Sequence, residues 1–282
     1  MDAPVSIGGD LLDRQISDYS RGRRKDVTCE PIIEFDGVSF GYGDSLIFSD
    51  ISFGVRRGTI SCVIGPSGCG KTTVLRLVAG FVQATKGTIT VAGQKRTKPT
   101  RDVAVVFQDY GRALLPWRNV HDNVSLALEA AHVPRRDRRE RIESMLELVG
   151  LKDHARKFPA QLSGGMQQRV QIARCLAQDP TILLMDEPFG ALDAMTRAIL
   201  QDELLHIQAE RGITVLFVTH DLDEALYLGS QVIALQANPG RLGRLISVDL
   251  PTPRNQLTTR EDTKFLTMRR DLFGLTHAGH QG

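Results

Sequence analysis

Residues 65–73 read GPSGCGKTT, and this run restricts the possible folds of the chain more than any other. Gly65 and Gly70 frame Pro66, Ser67, Gly68 and Cys69, and Lys71, Thr72 and Thr73 follow. The pattern G-x-x-x-x-G-K-[ST] is therefore complete. An apolar, β-branched run at 59–64 precedes it, and Val74, Leu75, Leu77 and Val78 recur behind it at helical spacing. The spacing predicts strand, loop and helix in that order. Glycines let successive N–H groups turn inward, and the helix adds its positive end, so such a loop cradles an anion. It predicts binding of a nucleoside triphosphate, with Lys71 reaching the β- and γ-phosphates and the Thr72 hydroxyl placed for Mg²⁺.

Composition sets the outer limits. A chain of 282 residues with 41% apolar and 24% charged residues has material for one large domain or two small ones. A formal charge of +2 is too small to imply a nucleic-acid partner. Cys29, Cys62, Cys69 and Cys175 form no C-x-x-C pair and no zinc spacing, which suits reduced thiols in cytosol. No apolar run approaches the roughly eighteen residues of a membrane span. The start MDAPVSIGGD lacks the basic and apolar regions of a signal peptide. Residues 1–30 are polar, with Arg21, Arg23, Arg24 and Lys25 clustered, and are expected to form a flexible extension.

From Ile32 onward the pattern is strand-like. Ile33 and Phe35, then Ile51, Phe53 and Val55, then Ile89 and Val91 alternate with polar neighbours and predict a small antiparallel layer around the strand of the phosphate loop. Short apolar runs at 103–107, 182–185, 213–218 and 232–235 read as buried parallel strands. Helical stretches separate them, so the class is α/β with both sheet faces covered. Residues 109–161 form a helix-rich insert, in which a charged run from Arg135 to Arg141 leads to Met145, Leu146 and Leu148 as an amphipathic helix. The tail at 251–282 opens with PTPRNQ and is expected to be a proline-broken exit.

A phosphate loop serves many enzyme classes. A second feature narrows them: LSGGMQQR at 162–169, where Ser163, Gly164 and Gly165 open another helix. This is a second anion-holding helix start in one chain, which one triphosphate site does not need. Two copies facing head to tail do need it. The segment resembles the signature motif of ATP-binding cassette (ABC) ATPases, with Met166 where the commonest form has Gln, and the resemblance covers about 31–250.

That resemblance implies a P-loop NTPase core, a RecA-like mostly parallel sheet, with an antiparallel β subdomain and an inserted helical subdomain. It also assigns roles to the other motifs. Asp186 and Glu187, at the end of an apolar strand, resemble the Walker-B aspartate and the general base that polarises the attacking water. Gln108 resembles the Q-loop glutamine at Mg²⁺ and water. His220 in FVTHD resembles the switch histidine at the γ-phosphate, and Asp193 in GALDA resembles the D-loop aspartate at the dimer seam. Tyr42, upstream of Lys71 in a glycine-flanked turn, resembles the A-loop aromatic that stacks on adenine, with Phe40 as the alternative.

A single cassette without fused membrane helices resembles the energy-coupling subunit of a bacterial importer. FQDYGRALLPWRNVHDNV, FGALDAMTR and ALQANPGRLGRLISVDLPTPR are similar to the nitrate/sulfonate/taurine class. The implied cofactors are ATP and Mg²⁺. The implied partners are transmembrane permease subunits, a second copy of the chain and, indirectly, a periplasmic or lipid-anchored solute-binding protein, with no nucleic acid. The implied place is the cytoplasmic face of the inner membrane. Trp117, close behind the Q-loop, either lines the permease groove or sits in the core of the helical insert. The alternatives are a soluble ABC ATPase working on nucleic acid or a cytosolic complex, and a module that holds ATP without hydrolysing it.

Overall fold

The structure is a computed structural model that describes residues 30–43, 45–108, 113–237 and 239–277. The basic run Arg21–Lys25 of the sequence lies outside these residues. Strands β1 (Pro31–Tyr42), β2 (Ser45–Arg56) and β3 (Ile60–Ile64) lead to helix α1 (Lys71–Ala79). Strands β4 (Lys86–Val91), β5 (Gln94–Lys95) and β6 (Val103–Val106) follow. Next come helices α2 (Val120–Ala130), α3 (Arg135–Leu148) and α4 (Gly164–Leu176). Then β7 (Ile182–Asp186), α5 (Ala194–Arg211), β8 (Thr214–Val218) and α6 (Leu222–Leu228) alternate. Strands β9 (Gln231–Gln236) and β10 (Arg241–Ser247) and helices α7 (Thr258–Glu261) and α8 (Thr263–His277) close the chain.

Two sheets form. The antiparallel one runs β2-β1-β4-β5, and the larger runs β10-β9-β3-β8-β7-β6 with only β10 antiparallel to its neighbour. The strand of the phosphate loop, β3, belongs to the larger sheet and pairs with β8 and β9. Strand alternation decides which side chain faces which core. Val63, Leu184, Leu216 and Val218 pack with Phe35, Phe53, Val74 and Leu77, under the antiparallel sheet and α1. Cys62, Ile64, Leu183, Met185 and Phe217 pack with Val124, Leu146, Ile172 and Leu204, under the other helices. Helices α1 and α4 therefore cover opposite faces of the larger sheet. Burial on both faces is why these strands read as unbroken apolar runs.

The insert contains α2 and α3 as anticipated, with Ile142, Met145 and Leu146 of α3 buried beneath its charged face. The tail departs from its expectation. Past Pro251 and Pro253 it folds into α7 and α8, and Phe265 and Leu272 are 1% and 0% exposed in the helix-side core. Phe265, Met268, Leu272 and Leu275 recur at helical spacing and all pack on that core, a short period hidden behind the prolines. Among the described residues, no helix is long and apolar enough to cross a membrane.

Candidate functional site

The carboxyl ends of four neighbouring parallel strands build the site, which is where open α/β sheets place their ligands. Strand β3 ends in the loop of Gly65 to Gly70, β6 leads into Phe107 and Gln108, β7 delivers Asp186 and Glu187, and β8 delivers Thr219 and His220. Register aligns them: Val106 lies opposite Met185, and Asp186 opposite Val218. Backbone bonds carry the alignment past the strand ends, with Glu187 N–H donating to the Val218 carbonyl and Thr219 N–H to that of Val63.

The phosphate loop needs its glycines for space as well as for conformation. A Cβ on Gly65 would lie 2.7 Å from Cys69 Sγ and from the Leu235 carbonyl oxygen. Gly70, at φ +96°, caps α1 and would drive a Cβ into the Phe48 ring. Ser67 and Gly68 form the exposed crest, with Pro66 half-buried, while Cys69 and Thr73 are buried. The first turn of α1 carries no acidic residue, so its positive end is uncompensated. Lys71 is 8% exposed, and its Nζ donates to the carbonyls of Gly65 (2.8 Å) and Pro66 (3.1 Å). The ammonium thus bonds directly to neutral carbonyls, with the Asp186 carboxylate near enough to feel its charge but not paired with it, which leaves its hydrogen-bonding capacity for an anion in the loop.

Thr72 Oγ1 donates to Asp186 Oδ1 at 3.2 Å. Burial pushes the Asp186 carboxyl up from its ordinary range, the Thr72 bond draws it down, and the neighbouring Glu187 charge raises it. Among the described residues, no group of three or more His, Cys, Asp or Glu side chains stands together to hold a metal. A cation here would find Thr72 and Asp186 as oxygen donors and would keep its other positions for phosphate and water, a set that suits a small hard ion. Glu187 Oε2 and His220 Nδ1 stand 3.0 Å apart. Glu187 takes φ +43°, a left-handed conformation uncommon in a non-glycine residue and frequent at functional sites. Gln108 is exposed next to the segment 109–112, which lies outside the described residues.

Tyr42 is 48% exposed and packs edge-on against Phe40 at 4.9 Å, whereas Phe40 is 5% exposed. Of the two aromatics, Tyr42 alone offers a free face. Ser163 caps α4, its hydroxyl accepting from Met166 N–H at 3.3 Å, with no acidic residue in the first turn. Met166 takes part through its backbone, so its side chain does not alter the cap. Gly164 is half-buried, and a Cβ on Gly165 would lie 2.5 Å from Thr196 Cγ2, so α4 starts directly against the start of α5. Asp193 caps α5 by accepting from Thr196 N–H at 3.0 Å and is otherwise exposed. The structure thus gathers Lys71, Thr72, Gln108, Asp186, Glu187 and His220 at one sheet edge. It places Ser163–Gly165 on a helix covering the opposite face from α1. Trp117 is 72% exposed, which excludes the core reading.

Several supports carry no sequence signal. Gln171 on α4, its amide turned to match, donates to the Phe107 carbonyl (3.3 Å) and accepts from the Phe107 N–H (2.9 Å), fixing the chain just before Gln108. Arg197 on α5 donates to the Leu192 carbonyl (3.1 Å) and to Asp221 Oδ2 (3.4 Å), joining the residue before Asp193 to the residue after His220.

Residues 48–190 match the family described as ABC transporter. An aliphatic sulfonates import ATP-binding protein, SsuB 2 of Burkholderia cenocepacia, is 48% identical over 76% of this chain and 77% of its own length. The nitrate import ATP-binding protein NrtC of Synechococcus elongatus is 45% identical over 82% of this chain, which spans only 35% of that longer relative. Among solved structures, an ATP-binding cassette in a dimeric post-hydrolysis state, bound to ADP and Pi, superimposes with a TM-score of 0.66. It is 30% identical, with 77% of this chain and 98% of that one covered.

Proposed function

The chain belongs to the ABC transporter family of ATPases, and from that membership we propose that it is the energy-coupling subunit of a bacterial importer for nitrate, a sulfonate, taurine or a related small solute. It works as an ATP-dependent head-to-tail dimer on a separate permease, peripheral to the cytoplasmic face of the inner membrane. A periplasmic or lipid-anchored binding protein presents the solute on the other side. The two import relatives support the solute class. The observation that carries the dimer is the placement of α1 and α4 on opposite faces of one sheet. A single triphosphate lying on the loop before α1 leaves the Ser163 turn free for the triphosphate of a second copy.

Within one site each residue has a task. Lys71 leaves the Gly65 and Pro66 carbonyls for the β- and γ-phosphates, and Tyr42 stacks on adenine. Thr72, Asp186 and Gln108 would hold Mg²⁺, which would supply positive charge to the phosphate oxygens. Glu187 accepts the proton of the attacking water at a carboxylate oxygen, with His220 fixing that carboxylate from the other side. Ser163, Gly164 and Gly165 of the mate close over the γ-phosphate, and Asp193 lies at the seam. Closing around two nucleotides and reopening after hydrolysis changes the shape offered to the permease.

Glu187→Gln tests this directly. It should lower turnover by roughly a hundredfold or more, the scale of a general base. ATP and magnesium should then hold the variant as a dimer on gel filtration. Unchanged turnover removes Glu187 as the base, and a persistent monomer removes the shared site.

A further inference from the structure

Residues 254–272 pack against two helices whose leading loops carry Asp193 and His220, and they touch both through polar side chains. The centre is Gln201 on α5, 1% exposed. Its amide nitrogen donates to Glu224 Oε1 on α6 at 3.0 Å. Its amide oxygen accepts from Arg260 Nη2 (3.1 Å) and Gln256 Nε2 (3.4 Å) of the tail. A second strand of the network runs beside it. Gln256 Nε2 donates to Asp202 Oδ1 (2.8 Å) and the Ala198 carbonyl (3.0 Å), and Asp202 also accepts from Tyr227 Oη on α6 at 2.6 Å. Arg260 lies over the Tyr227 ring at 5.0 Å and donates to Gln256 Oε1 at 3.2 Å, and Arg269 pairs with Asp223 of α6 at 2.7 Å.

We propose that residues 254–272 are a positioning clasp for ATP hydrolysis: they hold α5 against α6 and so set the spacing between the loop of Asp193 and the loop of His220. The connection to the site is short. Gln201 lies one turn of α5 beyond Arg197, whose guanidinium ties the Leu192 carbonyl to Asp221. Glu224 lies in the first turn of α6, four residues after His220, and Asp221 between them caps that helix by accepting from the N–H groups of Asp223 and Glu224. Each helix is rigid over one turn, so a shift where the tail grips is delivered to its capping residue, Asp193 or Asp221, and through Asp221 to the adjacent His220. Gln201 suits the centre because its amide offers a donor to Glu224 and an acceptor to Arg260 together. Arg260 suits the rim because its planar fork donates to two amides while stacking on an aromatic face. Gln201, Gln256 and Arg260 are positioning residues: none of them touches the strand-end cluster.

This inference rests on the assignment of His220 and Asp193 above, and the test separates the two. Steady-state ATP hydrolysis of the full chain is measured for Arg260→Ala, Arg260→Lys, Gln256→Ala and His220→Ala, with thermal unfolding followed on the same samples. Displacing a catalytic group by about 1 Å costs on the order of a hundredfold. Arg260→Ala and Gln256→Ala are accordingly expected to lower kcat about tenfold or more, with KM for ATP within about twofold. Arg260→Lys, which keeps a donor for Gln201 and loses the stacked fork, should fall between Arg260→Ala and the parent chain. Normal kcat in both alanine variants, or a kcat loss that follows only the fraction unfolded at the assay temperature, overturns the clasp. Turnover surviving in His220→Ala overturns the assignment of the switch instead.

Discussion

At the scale of single residues, the site places charge where burial opposes it. Lys71 is nearly buried with no carboxylate paired to it directly, and Asp186 is lifted by desolvation, so on the proposed function both would gain from a nucleotide and a cation. Glu224 shows the same physics away from the reaction. It is 5% exposed, and burial raises its carboxyl, with the Thr219 and Gln201 bonds drawing it down and Asp221 raising it. A folded value above the unfolded one means that the native chain binds the extra proton across the interval between them. Stability from this group is therefore highest below the ordinary carboxylate value and falls as pH rises through that interval. Glu224→Gln keeps the acceptor for Gln201 and removes the charge. Urea titrations should find the variant and the parent alike below the carboxylate range, and the variant at least as stable at neutral pH. A parent chain that gains on the variant as pH rises would contradict the buried-charge account.

At the scale of elements, helix α8 is the piece whose role changed most between sequence and structure. A loose tail would tolerate truncation of any side chain, yet Phe265 and Leu272 are enclosed against α6 and β9. Phe265→Ala should therefore cost about 3–5 kcal/mol of unfolding free energy, in one cooperative urea transition. A cost near zero, or a separate early transition, would make the helix an appendage and weaken its claim to position anything. The phosphate loop and its helix show the opposite case. Their residues are neighbours in sequence, and the required glycines, the lysine and the following helical period announce themselves together. The supports from Gln171, Arg197 and Gln201 do not. Each makes contacts to residues distant in the chain, and a lone Gln or Arg inside a helix has the same local pattern whether it faces solvent or a buried carbonyl.

At the scale of the whole molecule, exposed apolar side chains mark where something else belongs. Trp117 is 72% exposed at the start of the insert, close behind the end of β6. With the core reading excluded, the permease-groove expectation for Trp117 is the one left to test. Trp117→Ala should weaken binding to the reconstituted permease by about 2 kcal/mol or more, some thirtyfold, the size of an aromatic anchor. Affinity for ATP measured on the isolated subunit should stay the same, and equal loss of both would return the residue to a structural role. What the sequence alone determined was the set of chemical groups and their order, because backbone cradles, strand ends and helix starts are specified by short spacings of glycine, apolar and charged residues. Only the tertiary structure decided which of those groups meet. Pairing in register brought Asp186 beside Thr72 and Glu187 beside His220. Alternation across the larger sheet sent α1 and α4 to opposite faces, and packing turned a proline-led tail into a helix anchored by buried Phe265 and Leu272. Contacts between distant segments depend on how whole surfaces fit, and no local pattern encodes that fit.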